Sequence, residues 1–210
     1  MSRADRLVVS DTVVVNYFLA VGNFELLRQL LGGVVRVPSA VFDPEELDTV
    51  ADEAMSELRA GMHLHARRAV DDRIPSVLRT RSIRALPHFQ TLPRLADDGH
   101  VVALELMPQE LGHFARLRSS DYVREFSLVA GLGRGEAAAL AIALGRGWGM
   151  ATDDEDAIKV AQALDPNISL HRIRALLLEA VEAAMISRQE AQGLHSAMIE
   201  AGFWDRKRLE

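Results

Sequence analysis

The chain has 210 residues, 49% hydrophobic and 26% charged, which supports one sizeable core and excludes wholesale disorder. It has no cysteine, so disulfides and thiolate metal sites are excluded and any metal is left to oxygen or imidazole ligands. The net charge of −6 argues against a generic nucleic-acid binder, and with no signal-peptide pattern or run of roughly 18 apolar residues, a soluble cytoplasmic protein is expected.

Leu7-Val8-Val9-Ser10 is a short β-branched run that suits a buried parallel strand, and it ends on Asp11. Asp11 and Thr12 can then cap a helix through Leu19. Phe24 to Leu31 predicts a second helix stopped by Gly32-Gly33, and Val34 to Val37 a second strand ended by Pro38. Pro44-Glu45-Glu46 opens a long amphipathic helix reaching about Val70. Residues 71–99 hold three prolines and read as loop or short helix. Between Arg67 and Arg94 lie seven arginines against two acids, Asp71 and Asp72. This basic stretch makes Arg67, Arg68, Arg73, Arg79, Arg81 and Arg84 candidate RNA-backbone contacts, with a solvated helix face as the plainer alternative.

Val101 to Leu106 predicts a third strand and Pro108 to Leu117 a helix. Gly131-Leu-Gly-Arg-Gly135 is a tight turn before the alanine-rich helix that begins at Glu136. It has neither dinucleotide-binding glycine spacing nor a following Gly-Lys-Ser/Thr. Trp148 to Thr152 predicts a fourth strand, followed by Asp153-Asp154 and a helix to Leu164. Ile168 to Leu170 is a short fifth strand, and two more helices cover about 173–184 and 187–202. This alternation indicates an α/β class with helices on both faces of a mainly parallel sheet.

Ligands of such sheets bind beyond the carboxyl ends of the strands. Asp11 ends strand one, Asp153 and Asp154 end strand four, and Glu136 opens a helix after a glycine turn. If strands one and four are neighbours, these acids converge, and uncompensated carboxylates converge stably only around a cation. Oxygen ligands alone favour Mg²⁺ or Mn²⁺. By itself Asp11 reads more readily as a helix cap, Asp153-Asp154 equally well as an acidic helix start, and Glu136 more weakly still as a ligand, so the inference rests on the conjunction. The seven histidines show no metal spacing, and no nucleophile elbow surrounds Ser10.

Several motifs together resemble the PIN-domain nucleases, in particular their VapC-like, toxin-type prokaryotic branch. They are Asp11-Thr12 with Asn16, Val37-Pro-Ser-Ala-Val41, Gly133-Arg-Gly-Glu-Ala-Ala-Ala-Leu-Ala-Ile-Ala143 and Ala151-Thr-Asp-Asp154. The tail from Ala184 to Trp204 is also similar to that branch. The resemblance implies a three-layer α/β/α sandwich with a mainly parallel sheet, spanning about 1–175, and a helical C-terminal appendage over 176–210. The arginine-rich stretch 47–99 would be an insertion. It further implies a Mg²⁺- or Mn²⁺-dependent endoribonuclease, homodimeric, the toxin of a toxin–antitoxin pair with an antitoxin protein as partner. By position, Asp11 matches the first acid, Glu136 the third and Asp153 or Asp154 the fourth, with Asn16 and Thr152 as flanking polar residues. Where the second acid is expected the chain has Pro44, so Asp43, Glu45 or Glu46 would substitute, with Glu46 preferred. The competing expectation is a PIN-fold module that binds RNA or a protein partner without cutting, which the proline favours. A phosphatase or receiver-type pocket would need a second acid near Asp11 and a strand-end lysine, and the chain offers only Lys159 and Lys207.

Overall fold

The computed structural model describes residues 7–46, 55–128 and 131–205, with 207 and 209. Five short strands form the centre: β1 (Val8–Ser10), β2 (Val35–Pro38), β3 (Val101–Leu104), β4 (Gly149–Ala151) and β5 (Leu170–His171). They pair in parallel throughout, in the order β3-β2-β1-β4-β5. The chain thus builds one side outward from β1, then returns to β1's other edge with β4. That reversal between β1 and β4 is where an open parallel sheet leaves a crevice at its carboxyl end.

Parallel sheets need cover on both faces, and β1 shows how the sequence provides for it. Successive side chains point to opposite sides. Val8 joins Val14, Phe18 and Leu27 in one cluster, whereas Val9 joins Leu140, Ile142 and Met150 in the other. The first layer is built from α1 (Thr12–Ala20), α2 (Phe24–Leu30), α10 (Ile173–Glu182) and α11 (Arg188–Ala201). The second is built from α8 (Arg134–Arg146) and α9 (Glu155–Leu164), with α6 (Pro108–Leu117) and α7 (Ser120–Glu125) alongside. The result is the α/β/α sandwich with a parallel sheet that the alternating pattern predicted. Phe18 is fully buried, and truncating it to alanine would cost roughly 3–5 kcal/mol.

Three stretches depart from the sequence expectations. The helix expected from Pro44 is α3 (Glu57–Val70), and residues 47–54 of that expectation lie outside the described residues. Residues 71–99 are largely helical, as α4 (Ser76–Phe89) and α5 (Leu92–Asp97). Their prolines mark helix edges: Pro75 precedes α4, Pro87 sits in its last turn, and Pro93 lies in the first turn of α5. Pro75 and Pro93 stand where a helix needs no amide donor and so mark starts, while Pro87 forgoes only the bond its amide would have made to the Ile83 carbonyl just before α4 ends. The fifth strand falls two residues later than expected. Among the described residues no helix is long and apolar enough to cross a membrane.

Candidate active site

The carboxyl ends of β1 and β4 lie side by side, with Ser10 opposite Ala151 and the Asp11 amide donating to the Ala151 carbonyl at 3.0 Å. Asp11 therefore leaves the sheet at the crevice. Its Oδ1 caps α1 by accepting from the Val14 amide at 3.1 Å, and its Oδ2 accepts from the Thr152 hydroxyl. Thr152 is itself fixed by the Asp154 amide, which donates to Oγ1 at 3.1 Å. Asp11 is completely buried, and loss of hydration pushes its carboxyl well above the usual range, against those two hydrogen bonds. The charges of Glu136 and Asp153 push it further in the same direction.

Glu136 stands in the first turn of α8, after the Gly133 cap. Its carboxylate folds back over that cap: a Cβ at position 133 would lie 2.1 Å from Oε2. A larger residue there would displace the Glu136 carboxylate. Burial raises the Glu136 carboxyl, a backbone hydrogen bond at its own amide opposes this, and the charges of Glu57 and Asp154 raise it again.

Glu57 is the residue the sequence reading missed. It opens α3, its amide bound to the Ala40 carbonyl at 3.1 Å. Its side chain crosses to the crevice, where Oε1 accepts from the Gly135 amide at 2.8 Å and Oε2 accepts from the Thr12 hydroxyl. A Cβ at Gly135 would lie 2.4 Å from Oε2, so the second glycine of the Gly-Arg-Gly-Glu turn clears space for this carboxylate. The available signal was Ser56-Glu57 ahead of an amphipathic segment, a helix-start pattern. It was obscured because Pro44 already supplied one.

The acids near Pro44 are engaged elsewhere. Glu46, the preferred second acid, accepts from the Ser56 amide at 3.0 Å and pairs with buried Arg59 at 3.6 Å. Arg59 also donates to the carbonyls of Asp43 and Pro44, locking this turn. Asp43 accepts from the Glu45 amide at 2.9 Å, and Glu45 is exposed. The Asp153–Asp154 pair divides. Asp153, 1% exposed, takes Arg172 Nε on Oδ1 at 2.9 Å and the first amide of α10, that of Ile173, on Oδ2 at 2.6 Å. Burial raises its carboxyl, and these two donors oppose the shift. Asp154 caps α9 through the Ala157 amide at 2.7 Å, and its charge reaches Glu136.

Asn16 lies one helical turn beyond Thr12 and lines a cavity with Arg81 and Arg84. The other predicted arginines are not gathered there. Arg73 is bound to Asp71 at 2.9 Å and Arg79 to Asp72, while Arg67 and Arg68 lie in the last turn of α3.

Asp11, Glu57, Glu136 and Asp154 are the residues that could hold a metal, and an all-carboxylate set suits a hard divalent cation. Among the described residues no three Asp, Glu or His side chains converge on one point at ligating distance. Asp11, Glu57 and Asp154 are each turned toward protein donors, which offset the cost of burying their charge.

A parallel α/β sandwich with acids at its topological switch point puts the candidate site in the crevice between β1 and β4. The chain belongs to the PIN-domain family: the family model DUF3368, a PIN domain, matches residues 94–209. That match takes in Glu136, Asp153 and Asp154, while Asp11 and Glu57 come from the half that precedes it. No curated protein and no solved structure matches the chain.

Proposed function

We propose that the protein is a divalent-metal-dependent endoribonuclease, the PIN domain being a nuclease fold in general. The observation that carries this reading is Asp11: a fully buried carboxylate whose strongest charged neighbours, Glu136 and Asp153, both repel it. A fold keeps such a group when a cation offsets it in the working state. On this reading Glu57, Glu136 and Asp154 would share that cation with Asp11, their side chains turning from positions in which no three converge among the described residues. When bound, Mg²⁺ or Mn²⁺ would make an attacking water more acidic and offset charge building on the phosphate. The protein's part is positional. Thr152 orients Asp11, Thr12 and Gly135 orient Glu57, and Arg172 holds Asp153 against α10.

RNA as substrate, a homodimer in the cytoplasm and a toxin role with an antitoxin partner rest on the motif resemblance. The test is cleavage of a structured RNA in Mn²⁺ by wild type and Asp11→Asn. Cleavage by wild type and its loss in the variant are expected, and equal rates would refute the proposal. The second reading, binding without cutting, is favoured by carboxylates that do not converge on one point. It predicts wild-type RNA binding that is independent of metal, with no cleavage.

A further inference from the structure

One cavity gathers Asn16, Arg81 and Arg84 away from the carboxylates. It has a volume of about 400 Å³ and lies among α1, α3, α4 and α11. That is within the roughly 300–1,000 Å³ of typical small-ligand sites. Arg81 and Arg84 point their charge at it from α4, with Glu200 as the single acid on its wall. Neither guanidinium makes an ion pair or hydrogen bond among the described residues, in contrast to Arg73 and Arg79 on the same hairpin. Asn16 offers an amide, and His88 an imidazole. Much of the remaining wall is small and apolar, Ala85 and Ala197 included.

Two helices run from the acids to this cavity. On α1, Thr12 holds Glu57 and Asn16 lines the cavity, four residues on and on the same face. Four residues of helix advance about 6 Å. On α3, Glu57 opens the helix and His65 reaches the cavity eight residues later. The two arginines therefore line a cavity that Asn16 enters one helical turn along α1 from the residue that holds Glu57.

We propose that this cavity is a nucleotide subsite of the same active site, taking a phosphate of a single-stranded polynucleotide on Arg81 and Arg84 and its base against the alanine wall. The proposal rests on the nuclease reading. Forked guanidiniums match phosphate oxygens, and flat aromatic bases fit where side chains are small. An acidic peptide would use the arginines but would leave the apolar wall and the Asn16 amide without a role.

The experiment is fluorescence anisotropy of a short labelled single-stranded oligoribonucleotide with the full chain in EDTA. It reads binding without cleavage, so it fails or succeeds separately from the Asp11→Asn cleavage assay. The double variant Arg81→Gln/Arg84→Gln should weaken binding tenfold or more and lower the salt slope by about 0.7 for each phosphate no longer neutralised. Ala197→Met, which fills the cavity and keeps every charge, should weaken binding with no change in slope. Arg73→Gln, whose native side chain is committed to Asp71, should change it less than twofold. Wild-type affinity in both the double variant and Ala197→Met overturns the proposal. So does a wild-type protein that binds an Asp/Glu-rich peptide but not the oligoribonucleotide.

Discussion

Asp11→Asn should stabilise the metal-free protein while abolishing its proposed chemistry. The substitution removes a charge and keeps the shape: the amide oxygen still caps Val14, and the amide nitrogen can donate to Thr152 Oγ1. Asn and Asp are comparable helix caps, so the difference is dominated by the buried charge. Because Asp11's carboxyl is raised in the fold above the ordinary 3.8, the native state holds the proton more tightly than the unfolded chain. Stability from this group is therefore full below the unfolded value and is lost as pH climbs through the folded one. Each tenfold difference in proton affinity corresponds to about 1.4 kcal/mol, which at this chain length moves Tm by roughly 3–6 °C. Asp11 is wholly buried, so solvent screening does not discount the effect. Thermal melts in EDTA at pH 4 and pH 8 would read it. The variant's Tm should exceed the wild type's at pH 8, with the gap closing toward pH 4. A variant equal to or less stable than wild type at pH 8 would refute the reasoning.

Two other substitutions probe the supports of the site and of the fold. Gly135→Ala would drive a methyl group into Glu57 and Thr12, and calorimetry should show Mn²⁺ affinity reduced by about 10–100-fold, the usual effect of disturbing residues that orient metal ligands. Glu110→Ala should destabilise the protein by roughly 3 kcal/mol in urea melts at pH 7, because buried Glu110 grips Arg146 through two bonds, at 2.7 and 3.0 Å. Arg146 holds the Glu110 carboxyl below its ordinary value of 4.5, so this contribution is present above that pH and should fade as the solution is acidified below it.

β1, β2 and β3 were legible as short valine-bearing runs bounded by Asp, Pro or Gly, whereas β4 (Gly-Met-Ala) and β5 (Leu-His) carry no β-branched residue and were read from their places between helices. Asp11, Glu136 and Asp154 were legible for a related reason. Residues at strand ends and helix starts are placed by local backbone geometry, which local sequence records. The adjacency of β1 and β4 was stated only as a condition, since strand order is a long-range property. Glu57 was hidden for the same cause. Its role depends on α3 folding back so that it meets Thr12, 45 residues earlier, and Gly135, 78 residues later. Pro44 misled twice, by supplying a false helix start and by drawing attention to Glu46, whose charge is spent on Arg59 and Ser56. The separation of Asp153 from Asp154 could not be read either, since it depends on Arg172 and the start of α10.

The central claim is that Asp11, Glu57, Glu136 and Asp154 form one divalent-cation site. Calorimetric titration of Mn²⁺ into wild type, Glu57→Gln and Glu46→Gln tests it most directly. The account predicts a single site in wild type, its loss or at least tenfold weakening in Glu57→Gln, and wild-type binding in Glu46→Gln. Unchanged Mn²⁺ binding in Glu57→Gln, or loss in Glu46→Gln alone, would contradict it.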